Sequence, residues 1–175
     1  MFVVLTDGII VLRCLTEQDA GAHLAGEDGD QIRWLSGGPG SIERLVPWIH
    51  ENRCEWATGG PRRNFGIFDA LTAELIGNSE AHVHLEGMAE GEVNVSYGVF
   101  PGWRGKGIAR RAVLLICDWL SSDPRCTKAV IRIAPDNVPS HAVAESAGFA
   151  RTGMIVAANG EELIRYERRL RQTGR

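Results

Sequence analysis

Arg104-Gly105-Lys106-Gly107 is the stretch of this chain best suited to chemistry, because two cations alternate with two glycines where a strand pattern gives way to a helical one. Glycine lets the backbone adopt positive φ and approach another molecule closely, and the following helix points unpaired N–H groups back at the loop. No Ser, Thr, Asp or Asn caps the helix start, so an anion can take that place. Val99 to Ala109 therefore reads as a phosphate cradle. A nucleoside-triphosphate loop of the form G-x-x-x-x-G-K-[ST] does not fit, since Ile108 follows Gly107. A dinucleotide fingerprint fits poorly: Arg110 stands where its third Gly or Ala belongs, and the candidate ribose acid, Asp136, lies too far downstream.

The elements that must hold this loop follow from periodicity. Val93, Val95, Tyr97 and Val99 alternate with Asn94, Ser96 and Gly98, a half-buried strand ending at Pro101. Ile108, Ala112, Leu115, Ile116 and Trp119 form one apolar helical face running to about Ser121. Ala129 to Ala134 predicts a strand, Ser140 to Ala147 a helix stopped by Gly148, and Leu163 to Leu170 a closing strand with an arginine-rich tail. Upstream, Val3 to Leu5 and Ile9 to Leu12 flank an Asp7-Gly8 turn as a hairpin or one bulged strand. Thr16 caps a helix reaching about Ala25, and Ser41 opens an amphipathic helix carrying Leu45, Trp48, Ile49 and Trp56, with Pro47 near its first turn. Phe65 to Asp69, then Leu75 onward through His82 and His84, reads as a meander. Strands first run as a meander and then alternate with helices, so the expectation is an α/β fold with a mixed sheet of six or seven strands, one domain over residues 1–175.

Hydrophobic residues make up 44% of the 175 and charged residues 23%, which excludes extended disorder. No apolar run approaches the ~20 residues a membrane span needs. Cys14, Cys54, Cys117 and Cys126 show no C-x-x-C pair, so neither a zinc site nor a disulfide framework is expected; a soluble, cytoplasmic chain without a signal peptide or a metal is. The net charge of −3 hides a segregation: through Trp103 there are 6 Lys+Arg against 15 Asp+Glu, and from Arg104 onward 13 against 7. The basic part suits a polyanionic ligand, the acidic part a cation, and the acidity argues against nucleic acid.

Arg104-Gly105-Lys106-Gly107-Ile108-Ala109 also matches R-x-x-G-x-A and resembles the acyl-CoA loop of the GNAT N-acetyltransferase superfamily. Asn137-Val138-Pro139-Ser140 followed by Gly148-Phe149 resembles the N-x-x-S…GF segment of its Rim-type branch, the ribosomal-protein N-terminal acetyltransferases and related small-amine enzymes. Leu12-Arg13-x-Leu15-Thr16-x-x-Asp19-Ala20 and Phe65-x-Ile67-x-Asp69…Ile76-Gly77-Asn78 extend the likeness over nearly the whole chain.

The resemblance implies a GNAT fold in which two parallel strands, ending near Phe100 and Ala134, splay to admit acetyl-CoA. By it, the backbone of Val99 and Phe100 pairs with the pantetheine amides, Arg104 to Ala109 (Arg104, Gly105, Lys106, Gly107, Ile108, Ala109) holds the pyrophosphate, Asn137 contacts the pantetheine arm, and Ser140 lies near the sulfur. It implies direct transfer of acetyl to a primary amine, a protein N-terminus or a small cationic amine, and is compatible with a homodimer. The chain departs from the pattern in two places: Ala144 stands where many relatives carry a Tyr general acid, and Asn94 where a Glu is frequent. Ser140 is then the candidate acid. Glu80, Glu92, His82 and His84, on neighbouring strands, are the candidate bases, acting directly or through water. Trp34 and Trp56 flank the segment that shapes the acceptor cleft in relatives, where with Asn94 they are expected to contact the substrate; Trp48 reads as core. The departures also motivate an alternative, a CoA-binding sensor without turnover.

Overall fold

The computed structural model describes residues 2–36, 38–83 and 85–171. The first two apolar runs form a hairpin, β1 (Leu5–Thr6) and β2 (Ile10–Arg13), in which the Asp7 carboxylate accepts from the Ile9 and Ile10 N–H groups and closes the turn. A 3₁₀ turn, Glu17–Asp19, leads into α1 (Ala20–Ala25); after it α2 (Gly29–Gln31) runs into a π-helical turn, Ile32–Ser36. The long helix α3 (Ile42–Thr58) follows. Pro47 lies in its second turn rather than its first, so the carbonyl of Glu43 loses its helical donor. Next come β3 (Arg62–Asp69), β4 (Leu75–Val83) and β5 (Glu92–Val99) as an antiparallel meander. The chain then forms α4 (Ile108–Leu120), β6 (Lys128–Ile133), α5 (Val138–Ser146), β7 (Ala150–Val156) and β8 (Glu162–Arg169).

All eight strands join one mixed sheet in the order β1-β2-β3-β4-β5-β6-β8-β7, so the expected six or seven strands become eight. The additional strand is β7. It is an edge strand, exposed over most of its length and bulged between Arg151 and Gly153, so its residues lack the alternation by which a strand is read from sequence.

Two apolar clusters hold the layers. On one face Val93, Val95 and Val99 of β5 and Ala129, Ile131 and Ile133 of β6 pack under Ile108, Ala112, Val113 and Ile116 of α4 and Ala144 of α5. On the other, Phe68 and Phe100 pack with Leu15, Ala20, Leu45 and Ile49 beneath α1 and α3. Full burial of such a side chain contributes about 1.5–3 kcal/mol, which fixes the register of the sheet between its helical layers.

The only parallel pair among the described residues is β5 with β6, and its ladder covers just Glu92↔Lys128, Val93↔Ala129 and Asn94↔Val130. Beyond Asn94 the strands diverge, although β5 continues to Val99 and β6 to Ile133. The unpaired stretch is a gap through the sheet with one edge of β5 bare.

Candidate functional site

Strand alternation decides which backbone groups face that gap. The Phe100 N–H donates to the Ile76 carbonyl at 2.9 Å, toward β4, and its carbonyl accepts from the Trp103 N–H at 2.9 Å. Phe100 therefore spends its N–H on β4 and has its carbonyl engaged in the following turn, which corrects the expectation that its N–H pairs with the pantetheine. The neighbouring Val99 turns its N–H and carbonyl the other way, into the gap. Its carbonyl accepts from Arg104 Nε at 2.9 Å.

The cradle stands above the gap. Gly105 (φ 74°) and Gly107 (φ 75°) both adopt the left-handed conformation, and a Cβ on either would meet no protein atom within 4 Å. Gly107 is the N-cap of α4 and supplies no side-chain acceptor, so the N–H groups of the first turn, from Ile108 and Ala109 onward, face open space. Lys106 Nζ sits 4.6 Å over the Trp103 ring. Arg104 is engaged elsewhere: its guanidinium takes both oxygens of Asp28 at 2.8 Å and Asp30 at 3.0 Å. Those hydrogen bonds hold the Asp28 carboxyl below its ordinary value, and they tie the cradle to α2. The acidic residues before β5 thus screen one of the two cradle cations, which sequence charge counts do not reveal.

On the helical face of the gap, Asn137 caps α5, its Oδ1 accepting from the Ser140 N–H at 3.3 Å. The Ser140 hydroxyl lies 3.0 Å from the Tyr97 hydroxyl, and the Tyr97 hydroxyl also lies 3.1 Å from the Ser140 carbonyl oxygen. Burial pushes the Tyr97 phenol up to about 12, even against its hydrogen bond with Ser140, so it stays protonated. Sequence reasoning treated Tyr97 only as an apolar member of its strand; its partner is 43 residues away, and nothing local signals the pairing.

The opposite face of the sheet, beyond the apolar cluster around Phe68 and Phe100, carries a polar patch. Glu80 pairs in register with Ser96 on β5 and Asn64 on β3, so all three side chains share that face with Asn94. Burial raises the Glu80 carboxyl above its ordinary value despite the Arg62 charge and a hydrogen bond from Asn64; His82 Nδ1 is 4.0 Å from it. The amide oxygens of Asn64 and Asn78 are buried without a donor. Across β5, Arg132 Nε donates to Asn94 Oδ1 at 3.1 Å.

Glu92 is placed differently. It lies at the closed end of the β5–β6 ladder with Arg165 Nη2 at 2.7 Å and Lys128 Nζ at 3.1 Å. Burial alone would raise its carboxyl, but hydrogen bonds from Arg165, the Ala89 N–H and Lys128 outweigh that and hold it at about 2. A carboxylate so stabilised is a poor base, and the base expectation for Glu92 is corrected on that ground. Trp56 is also corrected. It is 3% exposed, packed edge-on to Phe65 and beside Trp119, with its Nε1 donating to the Asn64 carbonyl, so it belongs to the core. Trp34 is half-buried on the π-helical turn with Arg33 over its ring, and Arg33 reaches Asp136 at 2.5 Å, so this turn bridges to the segment before α5. Trp48 is half-buried against the second cluster. His84 lies outside the described residues, as does the last arginine of the tail, Arg175. Cys14, Cys117 and Cys126 are buried, and burial pushes the Cys117 thiol up to about 12.

A model of the acetyltransferase (GNAT) domain matches residues 10–150. No curated protein matches the sequence. Among solved structures the chain is similar to Mycobacterium smegmatis RimJ in complex with CoA-disulfide, with a TM-score of 0.79 at 19% identity over 99% of this chain and 89% of that one. The ribosomal-protein-S5-alanine acetyltransferase from Vibrio fischeri gives 0.77 at 19% identity over 96% and 97%. The aminoglycoside acetyltransferase AAC(6')-Ib in complex with coenzyme A gives 0.74 at 20% identity over 91% and 94%. Identities this low establish a common fold and leave the acceptor to be argued from the site.

Proposed function

The chain belongs to the acetyltransferase (GNAT) domain family, and from that premise we propose that it transfers acetyl from acetyl-CoA to a primary amine in the gap between β5 and β6. The observation that carries this reading is the parallel ladder that stops after three pairs, with a carboxylate on one face of the opening and a hydroxyl pair on the other. Acetyl-CoA supplies the thioester. Its phosphates suit the open space at Gly105 and Gly107 with the first-turn N–H groups of α4 and Lys106, and its arm suits the bare edge at Val99 and the start of α5 at Asn137.

The two faces then divide the proton traffic. The amine arrives protonated on the polar face, where Glu80 accepts a proton directly or through a water; its raised carboxyl makes it a better base than an ordinary glutamate. The Val99 N–H, free of the β4 ladder, can donate to the oxygen that gains charge during attack. On the helical face the Ser140 hydroxyl supplies a proton to the departing sulfur. Burial raises the thiols of Cys14, Cys117 and Cys126 above the ordinary value, against the arginines beside Cys14, which favours direct attack over an acyl-enzyme. The test is release of CoA thiol from acetyl-CoA across peptides and small amines at pH near 8. Release that depends on a free amine supports the reading, and release that is equal with N-terminally blocked, lysine-free peptides refutes it.

A further inference from the structure

The polar face of the sheet can be read as a charge inventory. Glu92 and Glu167 are shared between Arg165 and Lys128, at 2.7 to 3.1 Å. Arg62 takes Glu55 at 2.6 Å and Glu51 at 2.9 Å. Apart from Arg169, exposed opposite Lys128 at the end of the sheet, two charges of opposite sign are left over. Glu80 has no cationic Lys or Arg within ion-pair distance among the described residues, and Arg132 has no carboxylate at all, its one hydrogen bond going from Nε to the neutral Asn94. Both terminal amino groups of that guanidinium are without an acceptor among the described residues. Burial lowers the Arg132 pKa, and Arg165 beside it adds to the effect, so this half-buried cation is left unneutralised.

The positions of the two are defined by register. Glu80 is on β4 opposite Ser96, and Arg132 is on β6 two residues past the last rung of the parallel ladder, with β5 between them. Paired strands lie ~4.8 Å apart and β5 and β6 diverge beyond Asn94, so the two backbones are separated by at least roughly 10 Å, and the Nε bond to Asn94 draws the guanidinium back over β5. An ammonium at Glu80 and an anion at Arg132 would therefore belong to one short molecule lying across Ser96.

Resting on the acetyl-transfer reading, we propose that the acceptor is a free amino acid: its ammonium faces Glu80 and its carboxylate pairs with Arg132. A peptide N-terminus whose first residue is not acidic presents no carboxylate at that distance, and a polyamine would place a second cation against Arg132, where like charges repel. Only an amine carrying its own carboxylate completes both leftover charges. Arg132 is a planar donor suited to bidentate pairing with a carboxylate, which a lysine would not reproduce.

The experiment compares initial rates of thiol release for the proteinogenic amino acids, β-alanine and 4-aminobutyrate, each beside its own carboxamide. Removing the carboxylate lowers the amine's pKa, so the amide starts with more free base, and a preference for the acid must overcome that bias. For the best acceptor, kcat/KM of the acid should exceed that of the amide by roughly 10- to 100-fold, the worth of a charge-assisted hydrogen bond. In Arg132→Gln that ratio should fall to about 1, and in Arg132→Lys to an intermediate value. With CoA present, the preferred acid should raise the melting temperature of the wild type and not of Arg132→Gln. If amides are used as well as acids throughout the set, or if Arg132→Gln keeps the wild-type ratio, the amino-acid assignment is overturned while acetyl transfer stands. If no amine of either kind releases thiol, the transfer reading falls and takes the assignment with it.

Discussion

Substituting Gly107 by Ala isolates the cradle, because the structure supplies a matched control. Gly107 (φ 75°) and Gly59 (φ 76°), the C-cap of α3, have nearly the same left-handed backbone, and at neither would a Cβ meet a protein atom within 4 Å. Each replacement therefore carries only the backbone penalty, about 1–2 kcal/mol, which for a chain of this length lowers the melting temperature by roughly 2–8 °C. The two variants should be destabilised alike. At Gly107, however, the added methyl enters the space into which the first-turn N–H groups of α4 point, and displacing a phosphate oxygen from one or two of them costs about 1.5–3 kcal/mol each. Calorimetric titration should show CoA bound at least ~10-fold more weakly by Gly107→Ala, with Gly59→Ala unchanged from wild type. Equal CoA affinity in the two variants, at equal stability loss, would refute the placement of the phosphates.

Glu80→Gln should lower kcat/KM by about 10²-fold, the usual cost of losing a positioned base, with the wild-type rate falling as pH drops through the raised carboxyl pKa. Because that carboxyl is raised in the folded state, its contribution to stability is full below the unfolded pKa and lost as pH rises through the folded one. Glu80→Gln should therefore melt no lower than wild type at pH 8, and a marked destabilisation there would count against a functional carboxylate. Glu92→Gln should behave in the opposite way: kcat stays near wild type while roughly 3 kcal/mol of stability disappears at neutral pH. With the folded Glu92 carboxyl at about 2, the gap between that variant and wild type should close as pH falls from the ordinary carboxylate range toward 2, as acid denaturation curves would reveal. Ser140→Ala should reduce kcat more than KM if its hydroxyl protonates the sulfur, and Tyr97→Phe should do so less severely; an unchanged kcat in Ser140→Ala would leave the hydroxyl as nothing more than a neighbour of the cap.

Much of this arrangement was legible in the residues. The cradle from Arg104 to Ala109, the strand before it and the helix after it depend on local pattern, and the alternation of Val93 to Val99 already separates the helical face from the polar one. What stayed hidden depends on pairing across the chain. Glu80 and Glu92 are alike as strand glutamates, and only register puts one beside Ser96 and the other beside Lys128. Trp34 and Trp56 each flank a loop, yet the second is drawn into the core by Phe65 and Trp119. The Tyr97–Ser140 contact and the hold of Asp28 on Arg104 join residues 43 and 76 positions apart, and the latter reverses what a basic loop implies about free charge. Phe100 was misread because the parity of its hydrogen bonding is set by β4, whose pairing with β5 no local pattern in β5 discloses.

Direct passage of acetyl between the two faces of the gap is tested by rapid quenching of a single turnover, with the protein in excess over radiolabelled acetyl-CoA and an amine acceptor present. The label should move from CoA to the amine with none bound covalently to the protein at any time. Label trapped on the chain, or label that stays on CoA while the amine is present, would contradict the account.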